Sequence, residues 1–248
     1  MANKSEYHEQ AMSSDELLAS FKRSREYSID LIANLSPEDC QAQSMEDASP
    51  AKWHLAHVTW FYELMLLKPF EKKFSYWNPH FAILFNSYYN GIGDKHPRKK
   101  RGLLTRPSME EVLEWRENID NRVTQLVMAE ASPELLWLLQ LGIQHEQQHQ
   151  ELLLTDINHL FSHNSLYPAY FLETTEASST PETFHWIEGI NGLVDIGYEG
   201  NEFYFDNEAP KHSALNQTHS IGSKLVSNAD WLRFIEDGGY ENFNWWLD

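Results

Sequence analysis

Four stretches of the chain repeat apolar residues at a helical period, and each opens on a recognisable cap. The first runs from Ser13 to Asn34, with Ser13 and Glu16 spaced as a capping box and Leu17, Leu18, Phe21, Ser28, Leu31 and Ile32 on one face. Ser49-Pro50 caps a second helix from about Ala51 to Leu67, in which Trp53, Ala56, His57, Trp60, Phe61 and Met65 form a broad stripe that turns His57 inward. A third starts at Ser108 with Glu111 three residues on, and carries Val112, Trp115, Ile119, Val123, Leu126 and Val127 to about Ala129. The fourth opens at Ser132-Pro133 and continues to Phe161. Between the second and third, Phe81 to Asn90 reads as a short helix or an irregular aromatic insert ended by Gly91 and Gly93. Four long helices joined by modest loops predict an up-and-down bundle, an architecture that brings side chains from facing helices into a shared interior.

The texture then changes. Glu173 to Thr183 is polar and aperiodic, a surface linker. Beyond it, Gly189, Gly192, Gly197 and Gly200 punctuate short alternating runs, Leu193 to Ile196 and Phe203 to Phe205, which predict strands. Helical spacing returns only at Ser227 to Glu236. The expected organisation is a bundle over residues 1–165, a linker over 166–183, and a second, mixed domain over 184–248 that would be marginal alone. The chain stops on Trp245-Trp246-Leu247-Asp248 without a polar tail, which reads as a truncation.

Charge and composition narrow the partners. With 19 Lys+Arg against 37 Asp+Glu the formal net charge is −18, which opposes binding to nucleic acid or to an anionic membrane. The single cysteine, Cys40, excludes an intrachain disulfide and any multi-cysteine metal site, and fits a reducing cytoplasm. Met1 to Gln10 carries no leader pattern, and no apolar run reaches the roughly 18 residues of a membrane span.

The chemistry concentrates in Gln144-His145-Glu146-Gln147-Gln148-His149-Gln150-Glu151 on the fourth helix. Residues four apart lie one above the other, so His145 and His149 can share a divalent ion, with Gln148 beside them. The expected face continues through Leu152, which sets the pair on an apolar stripe, while Glu151 points away. A third ligand is offered by Trp53-His54-Leu55-Ala56-His57. His57 sits deeper in the aromatic stripe, but His54, three residues earlier, reaches the same face, and periodicity alone does not separate them. Asp156 returns to nearly the face of His145, where it either orients a ligand imidazole or is simply a polar residue near the helix exit. Six of the 19 basic residues lie between Lys95 and Arg106. Lys99 and Lys100 read as solvated, whereas Arg98 and Arg101 have the spacing to clamp a carboxylate.

Taken together, His145 to Glu151 with Thr155-Asp156, Trp53 to His57, Phe85-Asn86-Ser87-Tyr88-Tyr89 and Arg98 to Pro107 resemble the hercynine oxygenases, the EgtB-type sulfoxide synthases of ergothioneine biosynthesis. The resemblance extends over Leu17 to Phe161 as a DinB-like four-helix bundle. It continues through Phe205 to Pro210 and Phe234 to Tyr240, which look like the start of a formylglycine-generating-enzyme-like domain. The implied fold is mainly α, a bundle followed by an incomplete α+β domain. The implied cofactor is a non-haem Fe(2+) held by His57, His145 and His149, which decides against His54. The implied reaction joins a cysteine-type thiol, cysteine or γ-glutamylcysteine, to carbon 2 of the hercynine imidazole with O2, giving a sulfoxide. Gln148 would lie near the hercynine ring, and Arg98 with Arg101 on carboxylates of the thiol. The family's catalytic tyrosine lies beyond this chain, and Tyr198, Tyr204 and Tyr240 do not match its motif, so the 248 residues are expected to bind metal but to turn over poorly or not at all. Alternatives are an ovothiol-type histidyl-cysteine sulfoxide synthase, a DinB-like thiol transferase using another divalent metal, and a non-catalytic metal-binding scaffold.

Overall fold

The computed structural model describes residues 12–87, 95–171, 183–200 and 202–247. The chain divides into two compact units, Met1–Thr174 with Asn201–Phe203, and Thr175–Gly200 with Tyr204–Asp248.

In the first unit α1 (Ser14–Asp30) starts on the predicted capping box, with Ser13 and Glu16 satisfying each other's backbone N–H groups. A short α2 (Pro37–Gln41), capped by Ser36 and Asp39, has too few residues for a periodic signal and escapes the sequence reading. The second predicted helix is three pieces in series: α3 (Ala51–Phe61), a π-helical turn at Tyr62–Leu67, and α4 (Lys68–Phe70). The aromatic insert yields only α5 (Phe81–Leu84), and the predicted remainder from Tyr88 to the glycines lies outside the described residues. Arg98–Leu103 forms a 3-10 helix, after which come α6 (Met109–Ala129) and α7 (Pro133–Ser162), both begun by the expected serine caps.

The bundle order corrects the up-and-down expectation. Both α1 and α3 pack against α6 and α7, so the first two long helices stand diagonally opposed instead of side by side. They meet through side chains across the interior, Phe21 edge-on to Tyr62 at 5.0 Å and Arg25 donating to Thr59. The long connection between α1 and α3 gives the chain room to cross the bundle, whereas α3 and the next long helix, α6, pack as neighbours. The core between the four helices contains Trp60, Trp115, Phe21, Leu55, Val112, Ile119, Leu135 and Leu139, all essentially inaccessible to solvent. Gly142 allows α7 to approach the π-helical turn, since a Cβ there would stand 2.5 Å from the Tyr62 ring.

Among the described residues the second unit holds two antiparallel pairs formed by four strands: β1 (Trp186–Glu188) with β4 (Ser220–Gly222), and β2 (Gly192–Ile196) with β3 (His212–Asn216). The strand expected at Phe203 to Phe205 is not formed. Instead, Phe205 leads into a 3-10 turn at Asp206–Glu208, whose Glu208 carboxylate accepts the Phe205 backbone N–H that a strand would have paired across a sheet. The predicted helix is present as α8 (Asn228–Glu236). No helix among the described residues is long and apolar enough to cross a membrane.

Candidate metal centre

The buried stripe of α7 runs Leu135, Leu139, Gly142, Ile143, Glu146, Gln150, Leu153 and Ile157. This corrects the expectation that the stripe passes through Leu152, which is 47% exposed. His145 and His149 therefore stand on the flank of the buried face, each one residue before a buried polar side chain. One step along a helix is a rotation of about 100°, so the residue that fixes the azimuth of the pair is Glu146.

Glu146 is fully buried and lies among groups that α1 and α6 supply. Arg25 donates to Oε2 at 3.1 Å, and Ser28 donates to Oε1 at 2.7 Å, where Arg116 also binds. Gln150 continues the network by donating to the Ser24 carbonyl and the Ser28 hydroxyl. Arg25 is held further by Asp120 and Thr59. Burial on its own would raise the Glu146 carboxyl; the Arg116 and Arg25 guanidiniums outweigh it and hold the group at about 2. The network thus ties α7, in this rotation, to α1 and α6.

In that rotation the two α7 imidazoles meet His57 of α3. One nitrogen from each of His57, His145 and His149 lies within 4.8 Å of the other two, and the rings stand 4.7 to 5.1 Å apart between centroids. The His57 ring stacks with two indoles of its own helix: Trp53 lies nearly parallel at 4.7 Å and Trp60 at 5.4 Å. The segment after α5 also holds the stack, because the Phe85 carbonyl accepts from His57 Nδ1 at 2.6 Å and the Ala82 carbonyl accepts from Trp60. The neighbouring aromatic insert is therefore part of the site's frame.

His54 is engaged at both ring nitrogens, Nδ1 to His149 at 2.9 Å and Nε2 to Asp156 at 3.0 Å. Asp156 thus reaches the cluster through an intervening ring and not directly. Gln148 is exposed on α7. The two arginines occupy different surroundings. Arg101 is buried, with its guanidinium 3.3 Å over the Trp53 ring and donating to Ser49, beside the imidazole cluster. Arg98 is exposed and donates to the Asp47 carbonyl. The loop that carries both is pinned by buried Lys52, which donates to the Leu104 and Pro107 carbonyls.

The donor set suits a divalent transition ion. Three imidazoles bind only when neutral, and burial disfavours the charged form of each. Burial, with neighbouring imidazoles, pushes His57 and His149 well below the usual range, and burial pushes His145 down to about 4. His145 Nδ1 is a buried nitrogen with no hydrogen-bond partner, an orphan that a protein normally answers with water or an ion. These depressed values have a consequence for folding. An unfolded His145 takes up a proton near its ordinary 6.5, the folded ring only near 4, so its stabilising contribution is complete above 6.5 and is lost as pH falls through that window. Metal-free protein is accordingly expected to lose melting temperature steadily between about pH 7 and about pH 4.5. A flat profile over that range, measured by circular dichroism, contradicts the burial of neutral rings.

Comparison with known proteins agrees with this picture. The family profile of the DinB superfamily matches residues 20–153, which include all three clustered histidines. The chain is similar to the hercynine oxygenase of Mycolicibacterium thermoresistibile, 26% identical over 206 residues that cover 81% of this chain and 44% of the relative. Against the hercynine oxygenase of Mycobacterium tuberculosis it is 25% identical over 207 residues, covering 81% of this chain and 46% of that one. A third, from Mycolicibacterium smegmatis, is 31% identical over 111 residues, 43% of this chain and 24% of the relative. The chain spans less than half the length of these relatives. With helices α1, α3, α6 and α7 packed about one core and more than half of the sequence matched by the profile, the chain belongs to the DinB superfamily.

Proposed function

We propose that His57, His145 and His149 hold a non-haem iron(II), and that the chain carries the iron-binding part of a hercynine oxygenase. The observation that carries the reading is the convergence of three neutral imidazoles from two helices on one point, in a chain similar over four-fifths of its length to hercynine oxygenases. Bound iron(II) would supply the reduction of dioxygen and positions at which a thiol and oxygen meet. The reaction breaks the C–H bond at carbon 2 of hercynine and the S–H bond of a cysteine-type thiol. It forms C–S and S–O bonds, and the second oxygen atom leaves as water.

The chain's own residues would bind and orient. Arg101, held over Trp53 beside the cluster, brings a fixed positive charge for a carboxylate of the thiol substrate, and Arg98 would add a second. Gln148, on the turn of α7 that carries His149, offers a neutral amide to the hercynine imidazole. The same reading assigns residues 1–165 to the metal-bearing bundle, 166–183 to a linker and 184–248 to the start of a formylglycine-generating-enzyme-like domain.

Calorimetry tests the substrate assignment. Protein loaded anaerobically with iron(II) is expected to bind hercynine at least about tenfold more tightly than histidine, a difference of about 1.4 kcal/mol. Equal affinity, or preference for histidine, would overturn the assignment and favour the ovothiol-type reaction.

A further inference from the structure

Resting on the metal-binding reading above, we infer that His54 and Asp156 are positioning residues that fix the ring tautomer of His149, and so determine which of its nitrogens is bare.

Which groups are able to donate along one chain of contacts decides the tautomer. Asp156 Oδ2 accepts the Ser49 backbone N–H at 2.8 Å and faces His54 Nε2 at 3.0 Å. A carboxylate offers only acceptors, so the proton lies on His54 Nε2. A neutral imidazole carries one ring proton, which leaves His54 Nδ1 as a lone pair. That lone pair sits 2.9 Å from His149 Nδ1. The proton on this contact must therefore come from His149, and a ring protonated at Nδ1 presents a bare Nε2.

His57 arrives at the same tautomer by a separate route. Its Nδ1 lies 2.6 Å from the Phe85 carbonyl, which only accepts, so His57 also carries its proton on Nδ1. Two rings from different helices are thus set alike by unrelated partners, a coincidence expected if both Nε2 atoms serve one ion. The relay is also mechanical. It ties α3 through His54 to α7 through both His149 and Asp156, two turns apart, and Ser49 joins it to Arg101. His54 has neither nitrogen to spare for the ion, which accounts for its presence three residues from His57 without making it a ligand.

Long-range 1H–15N correlation spectra of the histidine rings in metal-free wild-type protein read the tautomers directly. The expected result is His149 protonated at Nδ1 and bare at Nε2, with His54 protonated at Nε2. In Asp156→Asn the amide is able to donate as well as accept, so the His149 signals should become a mixture of tautomers. Cobalt(II) affinity should then fall about 10- to 100-fold while the melting temperature changes little. Wild-type His149 protonated at Nε2, or an Asp156→Asn protein with unchanged tautomers and unchanged cobalt(II) affinity, would overturn the inference. Wild-type protein that shows the expected tautomers yet binds no cobalt(II) would support the relay and refute the metal reading on which it was built, so the two fail separately.

Discussion

Replacing Glu146 by Ala is expected to destabilise the bundle by about 3–5 kcal/mol, because it leaves two buried guanidiniums without their shared counter-ion. Arg25 and Arg116 are each only 3% exposed, and both point at the vacated carboxylate. Arg25 keeps its ion pair with Asp120, whereas Arg116 loses the carboxylate it is paired with. At about 2–4 °C per kcal/mol for a domain of this size, the melting temperature should fall by roughly 6–20 °C. Glu146→Gln keeps the shape and an acceptor but removes the charge, so its loss should be intermediate. Glu151→Ala, on the exposed side of the same helix, should stay within about 0.5 kcal/mol of wild type. Thermal melts of the three variants decide the matter. A Glu146→Ala protein melting together with Glu151→Ala would show that the network does not set the position of α7.

This network marks the limit of what periodicity reveals. The serine caps and apolar stripes locate α1, α6 and α7 to within a few residues, because each cap is a local hydrogen-bonding problem solved by neighbours in sequence; α3 starts at the expected residue on Pro50 but without the expected serine cap, since the Ser49 hydroxyl accepts from Arg101 instead. His57 is also legible as inward-facing, since its neighbours Trp53 and Trp60 are on the same stripe. Glu146 is not, although it occupies the core register between Ile143 and Leu153. A carboxylate at a core position interrupts an apolar pattern, and its counter-ions lie 121 and 30 residues away in sequence. The available signal was the register itself: Leu139, Ile143, Glu146, Gln150 and Leu153 keep the helical period if polar residues are admitted to it. A stripe drawn through Leu152 lies one residue off the buried register and puts the histidines at its centre instead of on its edge.

Long-range partners explain the other omissions. The contest between His54 and His57 turns on Asp156 and Phe85, which come from a different helix and from the segment after α5. Arg98 and Arg101 look equivalent as a spaced pair, yet the 3-10 turn sends one to the surface and the other onto Trp53. Short, aperiodic elements of this kind leave no hydrophobic signature, so their side-chain directions appear only in three dimensions.

Loss of bound metal on substitution of His145 is the second large effect expected. Removing one of the three proposed ligands leaves two imidazoles, and the affinity of a site falls steeply when its ligand count drops below that of the intended geometry. The substitution should leave the fold intact. His145 stands on the flank of α7 outside the Glu146 network, and it contacts Phe61 and its two partner rings. Ala there also removes a buried nitrogen that has no hydrogen-bond partner, so the metal-free variant should be no less stable than metal-free wild type. Loss of metal without loss of fold separates a ligand from a structural residue.

The most direct measurement is the iron content of wild-type and His145→Ala protein after anaerobic reconstitution with iron(II) and removal of excess, taken alongside a circular dichroism melt of each. Three converging imidazoles predict about one iron per chain in wild type and about none in the folded variant. Wild-type protein without stoichiometric iron, or a variant that retains it, would contradict them.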